Sequence, residues 1–364
     1  MTPARGTPDA PLPQLWLTSP GPEEDVVVSS RMRLARNVRG YHFKSRFDEG
    51  EDATLETHLR DVLGKACPHL HYLSLTKLPE NLREVLFERH IVSHEHVAGG
   101  HARGVAFNDD ATTSVMVNEE DHLRVQVFSP GLDLDDLGRR LEALDSHLAE
   151  NLEYSFSPRY GHLTSCPTNT GTGLRVSVML HLPALSWKPE DGKPGEQGIL
   201  KVHNAAQKLG LAVRGMHGES SRAEGDFFQI SNQVTLGRSP EQSLEDLRGA
   251  LPRVLEYERN MREILHKDDL HRLEDTVWRA WGTLCHARRI ASAEALAHLS
   301  SVRLGLYLGV LDGVEGLDAP KIHELMVRMR PGHLQHEAGR PLEPEERDVV
   351  RAELLRATLS PARA

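Results

Sequence analysis

The chain has 364 residues, of which 39% are hydrophobic and 26% charged, and its formal net charge is -10. That length accommodates two ordinary domains with real cores, and the acidic balance argues against a nucleic-acid binder or an acidic-membrane binder, whose surfaces carry a basic excess. Any basic site must therefore be local.

Three cysteines, Cys67, Cys166 and Cys285, are widely spaced and odd in number, which makes neither a disulfide framework nor a CxxC zinc pair. No run approaches the about 18 apolar residues of a membrane span, and the N-terminus lacks the apolar core of a secretion signal. A cytoplasmic protein is the expectation.

Taken in chain order, residues 1–22 begin MTPARGTPDAPLPQ and read as a flexible, Pro-punctuated arm. From Val26 to about Leu236 the sequence alternates apolar and polar residues between Gly, Pro, Asn and Asp turns, a mainly antiparallel sheet pattern with some helices. Strands are expected at VVVSSRMRL, TSVMVN, LRVQVF, LRVSVMLHL and LAVRGM, and helices at Asp52 to Leu63, Leu134 to Asn151 and Leu200 to Leu209. The polar, Gly/Pro-rich SWKPEDGKPGEQG reads as a surface loop. After Ser239 the pattern changes: Ser239 and Pro240 suit the cap and first turn of a helix, and Leu244, Leu247, Leu251 and Leu255 follow at helical spacing, with Pro252 as a kink candidate. Leu270, Leu273, Val277, Trp281 and Leu284 repeat the pattern. The fold class predicted is α+β: an antiparallel sheet flanked by helices over residues 23–238, then an all-α region over 239–364.

Strand parity sorts the arginines, because successive side chains face opposite ways. Leu174, Val176, Val178, Leu180 and Leu182 share one face, with Arg175, Ser177 and His181 on the other. Val26, Val28, Met32 and Leu34 oppose Ser29, Arg31 and Arg33; Leu123, Val125 and Val127 oppose Arg124 and Gln126. Arg214 leaves another short apolar run. Single arginines on a sheet face are commonly just solvated, but five in an acidic protein suit polyphosphate, whose oxygens match their forked donors. No P-loop or dinucleotide signature competes for that role. Carboxylates interrupt these strands: Glu119, Glu120 and Asp121 before one, Glu219 and Glu224 in a Gly/Ser loop. Turn acids are usually solvated; the alternative is that they hold a cationic second substrate, for which a guanidinium is the natural partner. Its pKa above about 12 then demands a positioned base before its nitrogen can attack. His94, His96 and His101 in SHEHVAGGH invite a metal reading, but no acid or Cys pattern accompanies them, and no protein-held metal site is expected.

SSRMRLARN, NEEDHLR, CPTNTGTGLR, RGMHGE and QISNQVTLG, in that order, resemble the phosphagen, or guanidino, kinase superfamily. Within it the chain most resembles the protein arginine kinases of the McsB type. Only 28 residues precede Ser29, too few for the helical N-terminal domain of small-molecule guanidino kinases, and ERDVVRAELLR matches the RDxxRA motif that protein arginine kinases use to bind phosphoarginine. The resemblance implies ATP with Mg2+ held mainly through its phosphates, contacted by Ser29, Arg31, Arg33, His90, Arg124, Arg175 and Arg214. It implies Glu120 and Glu219 gripping the substrate guanidinium, one of them as base, with Cys166 beside it as a thiolate; the other reading of Cys166 is a small core residue. It implies phosphoarginine binding by Arg347, Asp348 and Arg351, and protein substrates marked for a Clp chaperone and protease. A zinc-binding activator and a homodimer or higher oligomer belong to the same expectation. GESSRA departs from the GEGSEA of those kinases, placing Arg222 near Glu219. A free-arginine kinase and a non-catalytic phosphoarginine reader are the other readings.

Overall fold

The structure, a computed structural model, describes residues 15–187, 196–215 and 224–359. Glu219, Arg222, the first fourteen residues and most of the polar insert after Trp187 lie outside the described residues.

One sheet of eight antiparallel strands organises the first part of the chain, in the order β2-β3-β4-β5-β1-β8-β10-β9. The strands are β1 (Val27–Arg36), β2 (His71–Ser74), β3 (Gly104–Phe107), β4 (Thr113–Val117), β5 (Leu123–Pro130), β8 (Leu174–His181), β9 (Leu211–Gly215) and β10 (Phe227–Asn232), while β6 (Phe156–Ser157) and β7 (Gly161–His162) form a separate short hairpin. The expected strands are present; β2, β3 and β10 are additional, the first two too short to show a period of two.

One face of the sheet is apolar throughout. Met32, Leu34, Val125, Val127, Val176, Val178, Ile230 and Val213 form a single core beneath α1 (Glu51–Ala66), α4 (Leu134–Ala149) and α6 (Pro240–Asp268). The helices supply matching stripes: Leu55, Leu59 and Leu63 from α1, and Leu137, Leu141, Leu144 and Leu148 from α4, which is capped by Asp133 accepting from the Asp136 N–H. Each such leucine contributes about 2 kcal/mol by burial. α6 opens on a capping box between Ser239 and Gln242 and runs unbroken through Pro252, which is exposed along with Arg248, so water can take the carbonyl left by the missing N–H. Its Leu247, Leu251 and Leu255 lie in the sheet's core: the helical region that begins at residue 239 starts as a layer of the sheet unit. α5 (Glu196–Lys208) joins β8 to β9.

The second face is covered only at its ends. At the β3-β4-β5 end, α2 (Glu80–Glu88) and α3 (His94–Ala98) close over Val105, Met116 and Phe128. Trp16, expected in a flexible arm, is 6% exposed and stacks on Phe128 with ring centroids 4.9 Å apart; the apolar triplet Leu15-Trp16-Leu17 gives the arm something to bury. The C-terminal helices α7 (Leu270–His286), α8 (Ser292–Tyr307), α9 (Ala319–Arg328), α10 (Pro331–Ala338) and α11 (Pro344–Leu359) build a second core that takes in Val28 and Phe227 of the sheet, and α10 reaches across to α2. A register shift between Val27 and Ser29 breaks the simple parity and explains why Val28 joins this core. His181, on the polar face by parity, is buried there and bonds Ser300 Oγ at 2.8 Å and the fully buried Arg303 at 2.8 Å. Arg303 also donates to the Asp25 carbonyl and to His323. Among the described residues no helix is long and apolar enough to cross a membrane.

Candidate functional site

Between the two covered ends of the polar face lies a cleft of about 1070 Å3. Strand register explains what lines it. Arg33 on the central β1 pairs with Gln126 of β5 on one side and Arg175 of β8 on the other; Arg31 pairs with Phe128 and Ser177, and Arg214 of β9 faces Gln229 of β10. Arg31, Arg33, Arg124, Arg175 and Arg214 all line the cleft, together with His90 and Glu120.

Few acids share the space, and the arginines feel one another. Burial, with the charges of Arg124 and Arg175, depresses the Arg31 guanidinium to about 9. Burial and the cations of Arg31, Arg124 and Arg175 push Arg33 well below its ordinary value despite Glu119, and its Nε is buried with no hydrogen-bond partner. Such a cluster is complementary to a multiply charged anion. Polar neighbours hold the fan in place: Arg31 donates to Gln229 Oε1 at 3.1 Å and to Ser177 Oγ at 3.4 Å, and Arg175 donates to Ser231 Oγ at 3.4 Å.

The three consecutive acids are divided by the loop between β4 and β5. Asn118 turns the chain with a left-handed φ of 59°, which asparagine tolerates, and its N–H bonds the His122 carbonyl. Glu119 points inward and is 2% exposed. It accepts from Arg124 at 2.5 Å, from Ser93 Oγ at 2.5 Å and from the Glu120 N–H at 2.8 Å. Burial alone would raise its pKa; Arg124, Ser93, that N–H and His96 outweigh burial and hold it at about 2. Asp121 is also buried and ties Asn37 to the Ser165 N–H at 2.7 and 2.6 Å, fastening the SCPTN turn to the end of β1. Glu120 is exposed at the cleft, within 3.4 Å of Asn169 Nδ2. Burial of its carboxyl and the nearby Asp121 raise its pKa, which suits a proton acceptor better than an ordinary carboxylate.

Cys166 stands in the same turn, half-buried, with its Sγ 3.0 Å from Thr168 Oγ1; its neighbour Ser165 lines the cleft. His90 follows α2 with a left-handed φ of 62°, and its carbonyl accepts from Gln126 at 3.0 Å. Ser29 lies off the main cleft, in an adjoining cavity of about 40 Å3 that His90 also lines.

The C-terminal residues are elsewhere. Arg347, Asp348 and Arg351 lie on α11. Arg351 is 2% exposed and donates to the carbonyls of Met329 and Ile290, both at 2.9 Å, and to Asp348 at 2.6 Å. In this state it braces the helical core, while Arg347 is half-buried and bonds the Leu342 carbonyl at 3.4 Å. His94 and His101 line the cleft, but His96 is buried against the Gly104 carbonyl, and burial drops its pKa to about 4. Among the described residues only His42, Asp48 and Glu51 bring three possible ligand atoms together, a group that includes none of these three histidines.

Several contributors escape sequence reasoning. The parity of Gln126 and Ser177 marks their face but not their work of holding His90 and Arg31. Nothing local to Ser93, Lys44 or Asn37 signals a role; long-range packing brings them to the acid loop.

Comparison with known proteins agrees with this geometry. Residues 54–261 match the ATP:guanido phosphotransferase C-terminal catalytic domain, and residues 270–364 match the protein-arginine kinase McsB C-terminal domain. A protein-arginine kinase of Halothermothrix orenii is 43% identical over 346 residues, covering 95% of this chain and 96% of that protein. One from Moorella thermoacetica is 41% identical over 350 residues, covering 95% and 97%. A crystal structure of lombricine kinase aligns with a TM-score of 0.57 at 27% identity, over 71% of this chain and 74% of that one. The duplicated taurocyamine kinase of Schistosoma mansoni shares the fold, with a TM-score of 0.55 at 24% identity over 72% of this chain and 39% of its own. With an arginine-lined cleft, an acid loop at its mouth and relatives matched over nearly their whole length, the chain belongs to the ATP:guanido phosphotransferase family and, within it, to the protein-arginine kinases.

Proposed function

We propose that the protein transfers the γ-phosphoryl group of ATP to the guanidinium of arginine side chains in proteins. The observation that carries this reading is the crowding of Arg31, Arg33, Arg124, Arg175 and Arg214 in one cleft, with guanidinium pKa values depressed at Arg31 and Arg33, beside the raised carboxyl of Glu120. The cations neutralise the phosphates and fix their orientation, which is most of what phosphoryl transfer requires. Glu120 accepts the acceptor's proton and aligns its nitrogen; Glu219 supplies the second carboxylate, and Cys166 lies alongside the guanidinium. Glu119 does neither: it holds Arg124 and the Glu120 backbone in position.

A divalent cation, Mg2+ in this reading, belongs to the nucleotide. Among the described residues the donor set fits no protein-held ion, because Glu119 is committed to Arg124 and Ser93 and the rest of the cleft is rich in cations. The wider reading, by resemblance, is a cytoplasmic homo-oligomer with a zinc-binding activator, whose phosphoarginine marks direct proteins to a Clp protease and whose Arg347, Asp348 and Arg351 bind that mark.

Phosphopeptide mass spectrometry at neutral pH tests the reaction, after incubation with Mg-ATP, an unfolded arginine-rich protein and free arginine. Protein phosphoarginine from the unaltered enzyme, and none from Glu120→Ala, is the expected result. Modification of free arginine alone would make this a small-molecule kinase, and no modification of either would favour a phosphoarginine reader.

A further inference from the structure

A further arginine reaches the cleft from outside the sheet. Arg330, between α9 and α10, lines the same cleft as Arg31, Arg33 and His90, and it also lines the adjoining small cavity with Ser29 and His90. The backbone that carries it is held on both sides. Before it, the Met329 carbonyl accepts from the buried Arg351 at 2.9 Å. After it, Pro331 opens α10, whose Gly332 and His333 N–H groups donate to the buried Glu88 carboxylate at 2.6 and 2.9 Å. Glu88 stands two residues before His90, so one junction sets the positions of both His90 and Arg330. The Arg330 Nε donates to the Met326 carbonyl at 3.3 Å. Burial depresses its pKa against the pull of Glu88 and Glu224.

Register gives the cleft a direction. Glu120 lies just before β5, near Arg124, which pairs with Ala35. Going along β1, Arg33 and Arg31 come next, then Ser29. The Ser29 end, with His90 and Arg330, is the far end from the phosphoryl acceptor. We infer that Arg330 is a nucleotide-binding residue supplied by the helical region, contacting the ATP phosphates nearest the nucleoside. This rests on the reading of the cleft as an ATP site. It means that the sheet alone makes an incomplete nucleotide site, and that the helical region finishes it.

Calorimetric titration of the full-length protein with ATP, ADP and adenosine tests the inference on the wild type, Arg330→Gln and Arg330→Lys. The glutamine variant should bind ATP and ADP roughly tenfold more weakly, the scale of one charge-assisted contact, with adenosine binding unchanged. The lysine variant should recover part of the loss, since it keeps the charge without the fork. In turnover, KM for ATP should rise in the same ratio while KM for the arginine acceptor stays put. Equal ATP binding by wild type and Arg330→Gln would overturn the inference and leave the ATP reading intact. A parallel loss of adenosine binding would also overturn it, because it would mark a collapsed junction, not a phosphate contact. If the wild type binds no ATP, both readings fall.

Discussion

Glu119 is buried against Arg124 whereas Glu120 is exposed at the cleft, so the two carboxylates should answer the same substitution differently. Glu120→Gln should lower kcat by about 10^2 to 10^4, the range for a lost general base, with thermal stability and KM for ATP near wild type; a stability loss as large as the activity loss would remove Glu120 from the chemistry. Glu119→Gln should instead lower folding stability by about 2 kcal/mol, since a charge-assisted bond to a half-buried arginine is lost, and denaturant unfolding reads this directly. The pH profile follows from the same environments. In the proposed reaction Glu120 acts unprotonated, and its pKa is raised, so activity should rise through a limb above the ordinary carboxylate range. Arg31 must be protonated to hold phosphate and is depressed to about 9, so kcat/KM for ATP should fall again near that pH. Because bound phosphate favours the charged guanidinium, the alkaline limb of kcat should lie higher than that of kcat/KM. At this scale the shared face of Arg31, Arg33, Arg124 and Arg175 was legible from parity, and they line one cleft. The division of labour among Glu119, Glu120 and Asp121 was not, because it depends on Ser93, Asn37 and Arg124 meeting the loop from three other elements.

Among the elements, the turn after Cys166 is held by side chains, Asp121 on the Ser165 N–H and Thr235 on the Thr168 and Thr170 carbonyls, and by close backbone approach. Gly171 has a φ of 114°, and a Cβ there would stand 2.4 Å from the Thr235 carbonyl oxygen. Its N–H and carbonyl pair with His162 of β7. Gly171→Ala should therefore displace the turn that carries Cys166 and Asn169, lowering kcat more than ATP affinity; unchanged turnover would show that the turn tolerates the shift. The junction of α2 with α10 makes a second case: Glu88→Ala would leave two helix N–H groups and His333 without their buried acceptor, at a cost of about 2 to 3 kcal/mol, visible as a lower thermal midpoint. The long strands and amphipathic helices were readable because their periods run over several repeats. β2 and β3, at four residues each, carry too little pattern, and the bulge at Val27 to Ser29 reverses parity for Val28, where the helical region arrives.

Across the whole molecule, the helical region is both a separate core and a wall of the cleft. Arg303 binds the segment before β1, His181 of β8 and His323 of α9, so the N-terminal segment, the sheet and the C-terminal helices share one buried polar centre. Composition and pattern announced two regions; that the helical one packs on part of the polar face was hidden, because His181 and Ser29 read as solvent-facing by parity. The pairings that build the cleft also span great lengths of chain. Arg31 meets Ser177 across 146 positions and Gln229 across 198. Contacts this distant close late in folding, since each must first overcome a large loop entropy. During synthesis, β1 emerges with its arginines long before β8 and β10 exist to align them. A growing or truncated chain thus carries the β1 and β5 arginines with no assembled cleft, and the proposed phosphoryl transfer should be absent until the sheet and the helices that follow it have been made.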